Sequence, residues 1–324
     1  LWHEALARPV LTARVNGWLE DVKKPARSNA MVQVFFREFL RKGMRLVKDY
    51  QPDLVITTHF FCTSVAVLAR QRQHATFRVV EHVSDPFQAH NLWVNSMVDE
   101  VVVCSPEVRS QLTELGQSAD SLAVLPFPIH PRFFTPLGSR EDLLESLGLD
   151  PSRPTILASS GGEGIGNMDR YLREIYLSDL PVNLIAVCGR NERLLRDLRL
   201  LALRPSRVRF VPLGFVNNMN ELAEAADVGL VKAGPSTLLE MLSKGCPVMI
   251  TQVAAKVEEG NLRFVTENGL GWDVRESTAF SKLLEELFAP GFLGEVRARI
   301  QENAYVREMP SAAFRVRSEE RRVG

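Results

Sequence analysis

The feature that most constrains the fold is an alternation, repeated in both halves of the chain, between short apolar runs and helical patterns. The first half contains the runs "DLVITT", "FRVVE", "EVVVCS" and "SLAVLPFP", and the second contains "TILASS", "VNLIAVC", "VRFVPL", "DVGLV" and "PVMI". Runs rich in Val and Ile without strict polar alternation are typical of parallel strands covered on both faces. The pattern therefore predicts an α/β protein with two doubly wound, Rossmann-like sheets.

A stretch that contains several prolines separates the two halves. The prolines recur through residues 129–154, which also contain one short helical pattern, "SREDLLESLGL". Such a break favours a linker, so we predict a first domain over residues 1–136, a linker over 137–153 and a second domain over 154–316. We expect the first domain to be incomplete at its start, because the first core strand begins only near residue 53. The polar tail, 317–324, resembles a translated adapter sequence and is set aside as non-native.

The bulk composition argues against several classes of protein. The 324 residues carry a formal net charge of zero, so the overall charge does not attract the chain to nucleic acid, and we predict no nucleic-acid partner. No apolar run reaches the roughly 18 residues that a membrane-spanning helix needs. The four cysteines are far apart and show no metal-type spacing, so we interpret them as free thiols.

Two loops of the second half have the character of phosphate sites. In "SSGGEGIGNMDRYL" a strand ends near Ser159, and a loop with Gly162 and Gly164 precedes a helix. The N-terminus of a helix offers unpaired N–H groups and a partial positive charge that suit a phosphate. A tight turn explains the same glycines. Arg190, in "VCGRNERLL" after the next strand, suits either a diphosphate contact or a solvated helix start.

A third segment, "KAGPSTLLEMLSKGCPV", also allows two interpretations. It predicts a helix over roughly residues 236–244, and Thr237 and Glu240 have the spacing of a capping box. Alternatively, Gly234, Ser236 and Thr237 hold a diphosphate at the helix N-terminus, and Glu240, one turn into the helix, accepts hydrogen bonds from ribose hydroxyls. The pattern alone leaves both interpretations open.

Glu258 and Asn261 open a further predicted helix, after the strand "PVMIT". Glu258 suits hydrogen bonds from sugar hydroxyls, but an acidic residue at a helix N-terminus is also favoured by the helix dipole.

Polar residues of the first half follow strand ends in the same way. They are His59, His82, Asp85, His90 and Trp93. A His or Asp there suits proton removal from an attacking hydroxyl, whereas a lone His is more often structural. Residues 22–50 carry eight Lys or Arg against two acidic residues, with apolar and aromatic residues between them. This segment suits either an anionic membrane surface or a core helix with a solvated basic face.

These motifs, in this order, resemble the monogalactosyldiacylglycerol synthase family and its processive diacylglycerol glucosyltransferase relatives, in glycosyltransferase family 28. The most specific segments are "GGEGIG", "VCGRNERL", "GFVNNM", "KAGPSTLLEMLSKGCPV" and "EEGN", with "YQPDLVITTH", Asp85, His90 and Trp93 in the first half. The resemblance implies a GT-B fold, in which two Rossmann-like domains face each other across a cleft. It also implies inverting transfer of galactose or glucose from a UDP-sugar to diacylglycerol, with no cofactor and no essential metal. The protein would be cytoplasmic and peripherally bound to the inner, anionic face of a membrane.

The resemblance also implies roles for individual residues. Glu240 would hold the ribose, and Phe215 and Val216 would line the uracil pocket. Glu258 and Asn261 would face the donor sugar and the diphosphate. The diphosphate would lie among Gly162, Gly164, Arg190, Gly234, Ser236 and Thr237, and the candidates for catalysis are Asp85, His90 and His59.

Two departures from the family pattern keep alternatives open. The family usually has Gly-Gln-Glu where this chain has Lys256-Val257-Glu258, so the donor sugar is in doubt. The family's N-terminal glycine loop with its His has no counterpart here, and we expect the chain to begin after it. The alternatives are a catalytically inactive GT-B binding module, a lipid glycosyltransferase that uses UDP-N-acetylglucosamine, and a sugar-nucleotide epimerase on the same fold.

Overall fold

A computed structural model describes residues 37–136, 138–159, 161, 168–178 and 180–323 of the chain. They form two compact units. The first takes its described residues from Leu1–Phe127, Ala255–Gly260 and Phe314–Gly324, and the second from Pro128–Ala254 and Asn261–Ala313. Both units are α/β, as predicted, whereas the domain limits at residues 136 and 154 stay predictions.

The first unit is built on a parallel sheet of four strands in the order β1-β2-β3-β4. The strands are β1 (Leu54–Thr57), β2 (Arg78–His82), β3 (Glu100–Val103) and β4 (Leu122–Val124). Its helices are α1 (Arg37–Tyr50), α2 (Phe60–Gln73) and α3 (Pro106–Glu114). The core between sheet and helices contains Val79, Val101, Val103 and Trp93, all buried.

Helix α3 shows how local sequence sets these bounds. The Ser105 hydroxyl accepts a hydrogen bond from the Val108 N–H at 3.3 Å, and Pro106 takes the first helical position, where its missing N–H costs nothing. Gly116, just past the end, has φ +102°, a conformation that glycine adopts without strain. The segment "SPEVRSQLTELG" therefore contains the signals for both the start and the end of this helix.

The second unit contains a parallel sheet of six strands in the order β10-β9-β8-β5-β6-β7. The strands are β5 (Thr155–Ser159), β6 (Asn183–Val187), β7 (Arg209–Leu213), β8 (Val228–Val231), β9 (Val248–Ile250) and β10 (Gly271–Asp273). The helices are α4 (Arg140–Ser146), α5 (Met168–Leu177), α6 (Glu192–Ala202), α7 (Met219–Ala225), α8 (Pro235–Ser243), α9 (Glu258–Glu267), α10 (Ser277–Glu286), α11 (Phe292–Glu302) and α12 (Ala304–Val323). Helices α9 and α12 begin in one unit and end in the other.

All nine predicted strands are present, and one strand was missed. Strand β10 is only three residues long and pairs with β9, Gly271 opposite Val248. A Cβ on Gly271 would lie 2.1 Å from the Val248 carbonyl oxygen, so this pairing requires glycine. Helix α12 runs through the polar tail that sequence analysis set aside. Within the described residues, every helix is too short or too polar to cross a lipid bilayer.

Candidate functional site

The carboxyl ends of four neighbouring strands form the site edge of the second unit. Ser159, at the end of β5, is in register with Val187 of β6 on one side and with Val231 of β8 on the other. Val231 is in turn in register with Ile250 of β9. Since the strands are parallel, the segments that follow them emerge at one edge, where ligands of doubly wound sheets bind. The predicted motifs of the second half follow these strands, except the one with Phe215 and Val216, which follows β7.

Helix α8 begins at this edge without a side-chain cap. Gly234 is its N-cap and Pro235 its first residue, and no side chain caps it among the described residues. Thr237 is thus the third residue of the helix, and the capping-box prediction for Thr237 and Glu240 is wrong. The reason is that Pro235 has its φ angle preset for a first helical turn and starts the helix earlier. The N–H groups of Ser236 and Thr237 lie in that first turn, and Ser236 is exposed.

Glu240 follows at the sixth position of α8 and is half-buried. Burial raises the pKa of its carboxyl to about 7, from an ordinary value of 4.5. No described residue donates a hydrogen bond to this carboxylate. Its ionised form therefore carries a desolvation cost without a compensating donor, a condition that hydroxyl donors from a ligand would relieve.

The turn before α8 is fixed from two sides. The Asn261 side chain, on α9, is buried, and its Nδ2 donates to the Ala233 carbonyl at 2.7 Å. The Ala233 N–H donates to the Gln252 carbonyl at 2.8 Å. Asn261 Oδ1 is buried and has no hydrogen-bond partner among the described residues. The structure thus gives Asn261 an anchoring contact, and its predicted role toward the donor sugar stays a prediction.

Lys232 is a cation of this edge that sequence analysis missed. It comes directly after β8, and its Cε lies 3.9 Å from the position that a Cβ on Gly161 would take. Gly161, at φ +83°, is the one described residue of the glycine loop that follows β5. The signal for Lys232 was its place directly after a strand of the site edge. Gly162 and Gly164 lie outside the described residues.

Arg190 and Phe215 come together after β6 and β7. The Arg190 guanidinium carbon lies 4.9 Å from the centroid of the Phe215 ring. This cation–π geometry orients the guanidinium over a ring that is itself exposed. Asn191 caps α6, since its Oδ1 accepts from the Leu194 N–H at 3.0 Å, so the predicted helix start beside Arg190 is also real. Val216, next to Phe215, is half-buried.

Asp85, His90, His59 and Trp93 form one cluster in the first unit. Asp85 Oδ2 accepts a hydrogen bond from the Trp93 indole at 2.7 Å. The His90 ring is stacked on Trp93 with 6.1 Å between ring centroids, and the His59 ring centroid lies 6.4 Å from that of Trp93. The three candidates for catalysis are therefore neighbours. His82 is buried elsewhere, with Nε2 3.9 Å from the Cys104 thiol.

Burial disfavours the charged form of both histidines of this cluster. His59 Nδ1 accepts from the Phe61 N–H at 3.2 Å and His90 Nδ1 accepts from the Leu92 N–H at 3.1 Å. Burial lowers the pKa of His59, and burial together with the charge of His59 lowers that of His90 to about 4. Since each Nδ1 serves as an acceptor, the tautomer with the proton on Nε2 is set in both rings.

Glu258 begins α9, as predicted, and it belongs to the first unit with residues Ala255–Gly260. Nowhere among the described residues do three His, Cys, Asp or Glu side chains gather closely enough to hold a metal ion.

Comparisons with known proteins agree with these two units. The family model "Monogalactosyldiacylglycerol (MGDG) synthase" matches residues 15–129, and the model "Glycosyltransferase family 28 C-terminal domain" matches residues 172–302. The chloroplast monogalactosyldiacylglycerol synthase of Spinacia oleracea is 27% identical over 297 residues, which cover 89% of this chain and 55% of the relative. The chain thus spans about half the length of the curated relatives that it matches.

Solved structures show the same fold. Acinetobacter baumannii MurG aligns with a TM-score of 0.62 and 19% identity, over 86% of this chain and 75% of that one. Anabaena Alr3699/HepE, solved in complex with UDP, aligns with a TM-score of 0.55 and 16% identity, over 86% of this chain and 81% of that one. These likenesses show the GT-B fold. The chain is thus similar to monogalactosyldiacylglycerol synthases over residues 15–129 and to the C-terminal domain of glycosyltransferase family 28 over residues 172–302.

Proposed function

We propose that the protein is an inverting glycosyltransferase that moves a hexose, galactose or glucose, from a UDP-sugar to diacylglycerol. The observation that carries the proposal is Glu240, a half-buried carboxylate without a described donor, inside a helix whose N-terminus is capped by no described side chain. An acceptor for hydroxyls and a site for an anion thus lie on one helix, as a nucleoside diphosphate requires.

The donor is held by the second unit. Ribose hydroxyls donate to Glu240, and the diphosphate lies against the first turn of α8 with the Ser236 and Thr237 hydroxyls. Phe215 and Val216 receive the uracil, and Asn261, together with Glu258 of the first unit, serves the donor sugar. The glycines at 162, 164 and 234 let the backbone approach the phosphates closely.

Negative charge develops on the leaving diphosphate as the bond between the anomeric carbon and the phosphate oxygen breaks. The N-terminus of α8 and the cations Lys232 and Arg190 are the groups that stabilise it. Since these are fixed before the reaction, they need no reorganisation when the charge appears. No cofactor or metal enters this scheme.

The acceptor is served by the first unit. A base removes the proton of the diacylglycerol hydroxyl as this hydroxyl attacks the anomeric carbon from the face opposite the diphosphate, which inverts the configuration. The candidates are Asp85, His59 and His90. In each histidine Nδ1 accepts a backbone hydrogen bond, so the ring takes up a proton there only when that bond is released. Helix α1 carries the exposed apolar residues Leu46 and Tyr50 among basic residues and contacts the inner face of the membrane that holds the lipid.

The proposal is tested by calorimetric titration of the chain with UDP. Wild type is expected to bind, and Glu240→Ala to weaken binding about tenfold to a hundredfold, because hydrogen bonds to a charged acceptor are lost. Glu286→Ala, which removes an exposed carboxylate from α10, is the matched control and should bind as wild type does. Equal affinity in all three proteins would refute the ribose role.

A further inference from the structure

The first unit contains a buried carboxyl that the proposed reaction does not use. Glu81 lies on β2 and is fully buried. Its Oε1 accepts a hydrogen bond from the Thr63 hydroxyl at 2.5 Å, whereas its Oε2 is buried without a hydrogen-bond partner among the described residues. Burial raises the pKa of this carboxyl to about 8, so the group is mostly neutral at neutral pH. Glu81 therefore holds a hydrogen bond in the core without burying a charge there.

Thr57 extends this hydrogen bond into a network. Its hydroxyl oxygen lies 2.7 Å from that of Thr63, and either hydroxyl can be the donor. Both threonines are buried. Thr57 is the last residue of β1, Thr63 is the fourth residue of α2, and Glu81 belongs to β2. These three residues, which we call the Glu81 network, thus join two strands and a helix at one point.

The Glu81 network closes the loop that carries His59. The segment between the two threonines is five residues long, and His59 is the N-cap of α2. The His59 carbonyl accepts hydrogen bonds from the Cys62 N–H at 2.8 Å and from the Thr63 N–H at 3.1 Å. The ring Nδ1 of His59 accepts from the Phe61 N–H at 3.2 Å. Thr63 is therefore bonded to the His59 backbone through its N–H and to Glu81 through its hydroxyl.

An acid is an unfavourable residue for this buried position. Val79, two residues earlier and thus on the same face of β2, is apolar and fully buried. A buried polar atom without a partner costs free energy, so packing alone favours an apolar residue in place of Glu81. Residues that lower stability are typical of functional sites, where they hold another group in place. The group that Glu81 holds is Thr63, and with it the loop of His59.

We propose that the Glu81 network positions the His59 ring for the acceptor side of the reaction. Glu81 fixes Thr63 to the sheet, Thr63 fixes the His59 backbone, and the ring then lies in the cluster with Trp93. Because Glu81 is fully buried, it acts through Thr63 and is a positioning residue. The inference rests on the proposed function for its effect on hexose transfer, whereas the state of the His59 ring is measured without any reaction.

Nitrogen NMR of the full chain, labelled with ¹⁵N in histidine, tests how the His59 ring is held. The chain has six histidines, and the signals that are absent from His59→Gln belong to His59. In wild type the Nε2–H tautomer should predominate, which gives two widely separated ring-nitrogen signals at neutral pH. In Thr63→Val and Glu81→Leu the two signals should move toward each other, because a ring that is no longer held exchanges between tautomers.

Matched variants separate positioning from a general loss of stability. Thr63→Ser and Glu81→Gln keep the hydrogen bond between these side chains and should restore the wild-type signals of His59. Asp99→Asn weakens a different site, before β3 at the opposite edge of the sheet, where Asp99 accepts from the Arg70 guanidinium at 2.5 Å and from the Val79 N–H at 2.6 Å. This control should lower the melting temperature of the chain and leave the His59 signals unchanged.

The kinetics of hexose transfer separate this inference from the proposed function. Thr63→Val and Glu81→Leu should lower kcat about tenfold to a hundredfold, because a misplaced group loses its alignment with the substrate. The KM for the UDP-sugar and the affinity for UDP should stay as in wild type, since the second unit holds the donor. Thr63→Ser and Glu81→Gln should restore kcat.

No transfer by wild type would count against the proposed function, and the NMR signals would still decide whether the Glu81 network positions the ring. The inference is overturned if the His59 signals are the same in wild type, Thr63→Val and Glu81→Leu. It is also overturned if Asp99→Asn changes these signals as much as Thr63→Val does, or if an active enzyme keeps its kcat in both Thr63→Val and Glu81→Leu.

Discussion

The pH dependence of UDP binding is the sharpest consequence of the environment of Glu240. In the free protein burial raises the pKa of this carboxyl to about 7. If ribose hydroxyls donate to it, the complex favours the ionised form and its pKa falls on binding. Binding then releases a proton wherever the pH lies between the two values. UDP affinity must therefore rise as the pH increases through 7, and fall as the pH decreases below it.

The magnitude follows from the size of the change in pKa. A return from about 7 to the ordinary value of 4.5 changes the affinity by more than two orders of magnitude over the full range, because each pKa unit is tenfold. Between about pH 5.5 and pH 7.5 the dissociation constant of wild type should fall about 20-fold from this carboxyl alone. Glu240→Gln keeps an acceptor but cannot titrate, so this contribution should vanish.

Isothermal titration calorimetry of both proteins across this pH range separates the carboxyl from the phosphate. The terminal phosphate of UDP also titrates, near pH 6 as phosphate monoesters do, but it does so equally in wild type and variant. The difference between the two pH profiles is thus assigned to Glu240. At about pH 6, wild type should also release nearly one more proton per UDP than Glu240→Gln. Parallel profiles with equal proton release would refute the ribose contact.

Three further predictions concern stability. Burial raises the pKa of the Glu81 carboxyl to about 8, so the unfolding free energy of wild type should fall by up to a few kcal/mol as the pH rises from about 4.5 to 8. In urea unfolding, the free energy of Glu81→Gln should depend less on pH, and an equal dependence in both proteins would contradict the burial argument. Gly271→Ala should destabilise the protein by about 1–3 kcal/mol, because the added Cβ would lie 2.1 Å from the Val248 carbonyl oxygen. Thermal melting compares it with Gly294→Ala, whose Cβ meets nothing within 4 Å, and equal melting temperatures of the two variants would contradict the prediction. Asp227 accepts hydrogen bonds from two arginines and a backbone N–H at 2.8–3.1 Å. Asp227→Asn should therefore lower the free energy of urea unfolding by about 1–3 kcal/mol. An unchanged urea midpoint would show that these hydrogen bonds add nothing to stability.

Sequence patterns predicted nearly every strand, but they did not always predict which residue caps a helix. Buried parallel strands are continuous Val and Ile runs, so β5, β6 and β8 were plain from composition and spacing. Strand β10 has no such run, and only its pairing with Val248 makes it a strand. The position of α8 was predicted closely, but its cap was not. Thr237 and Glu240 match a capping box, whereas Gly234 is the N-cap and Pro235 takes the first helical position.

Several contacts of the site have no local signal. The bond from Asn261 to the Ala233 carbonyl joins residues that are close only because β8 and β9 are neighbours. The stacking of Arg190 on Phe215 depends in the same way on the neighbouring strands β6 and β7. Tertiary structure therefore decides whether such a residue has a structural or a ligand-binding role. The motifs alone showed only residue types that suit phosphate or ribose.

The most direct test of the central claim follows the hexose of a labelled donor. The chain is incubated with UDP-galactose or UDP-glucose and vesicles that contain diacylglycerol, and the nucleotide, the free sugar and the lipid fraction are analysed together. We predict that the label enters the lipid as hexosyl-diacylglycerol with inverted anomeric configuration, with one UDP released per hexose, and that Glu240→Ala greatly reduces this transfer. Recovery of the label as an epimer still attached to UDP, or no transfer by a chain that binds UDP at Glu240, would contradict the account.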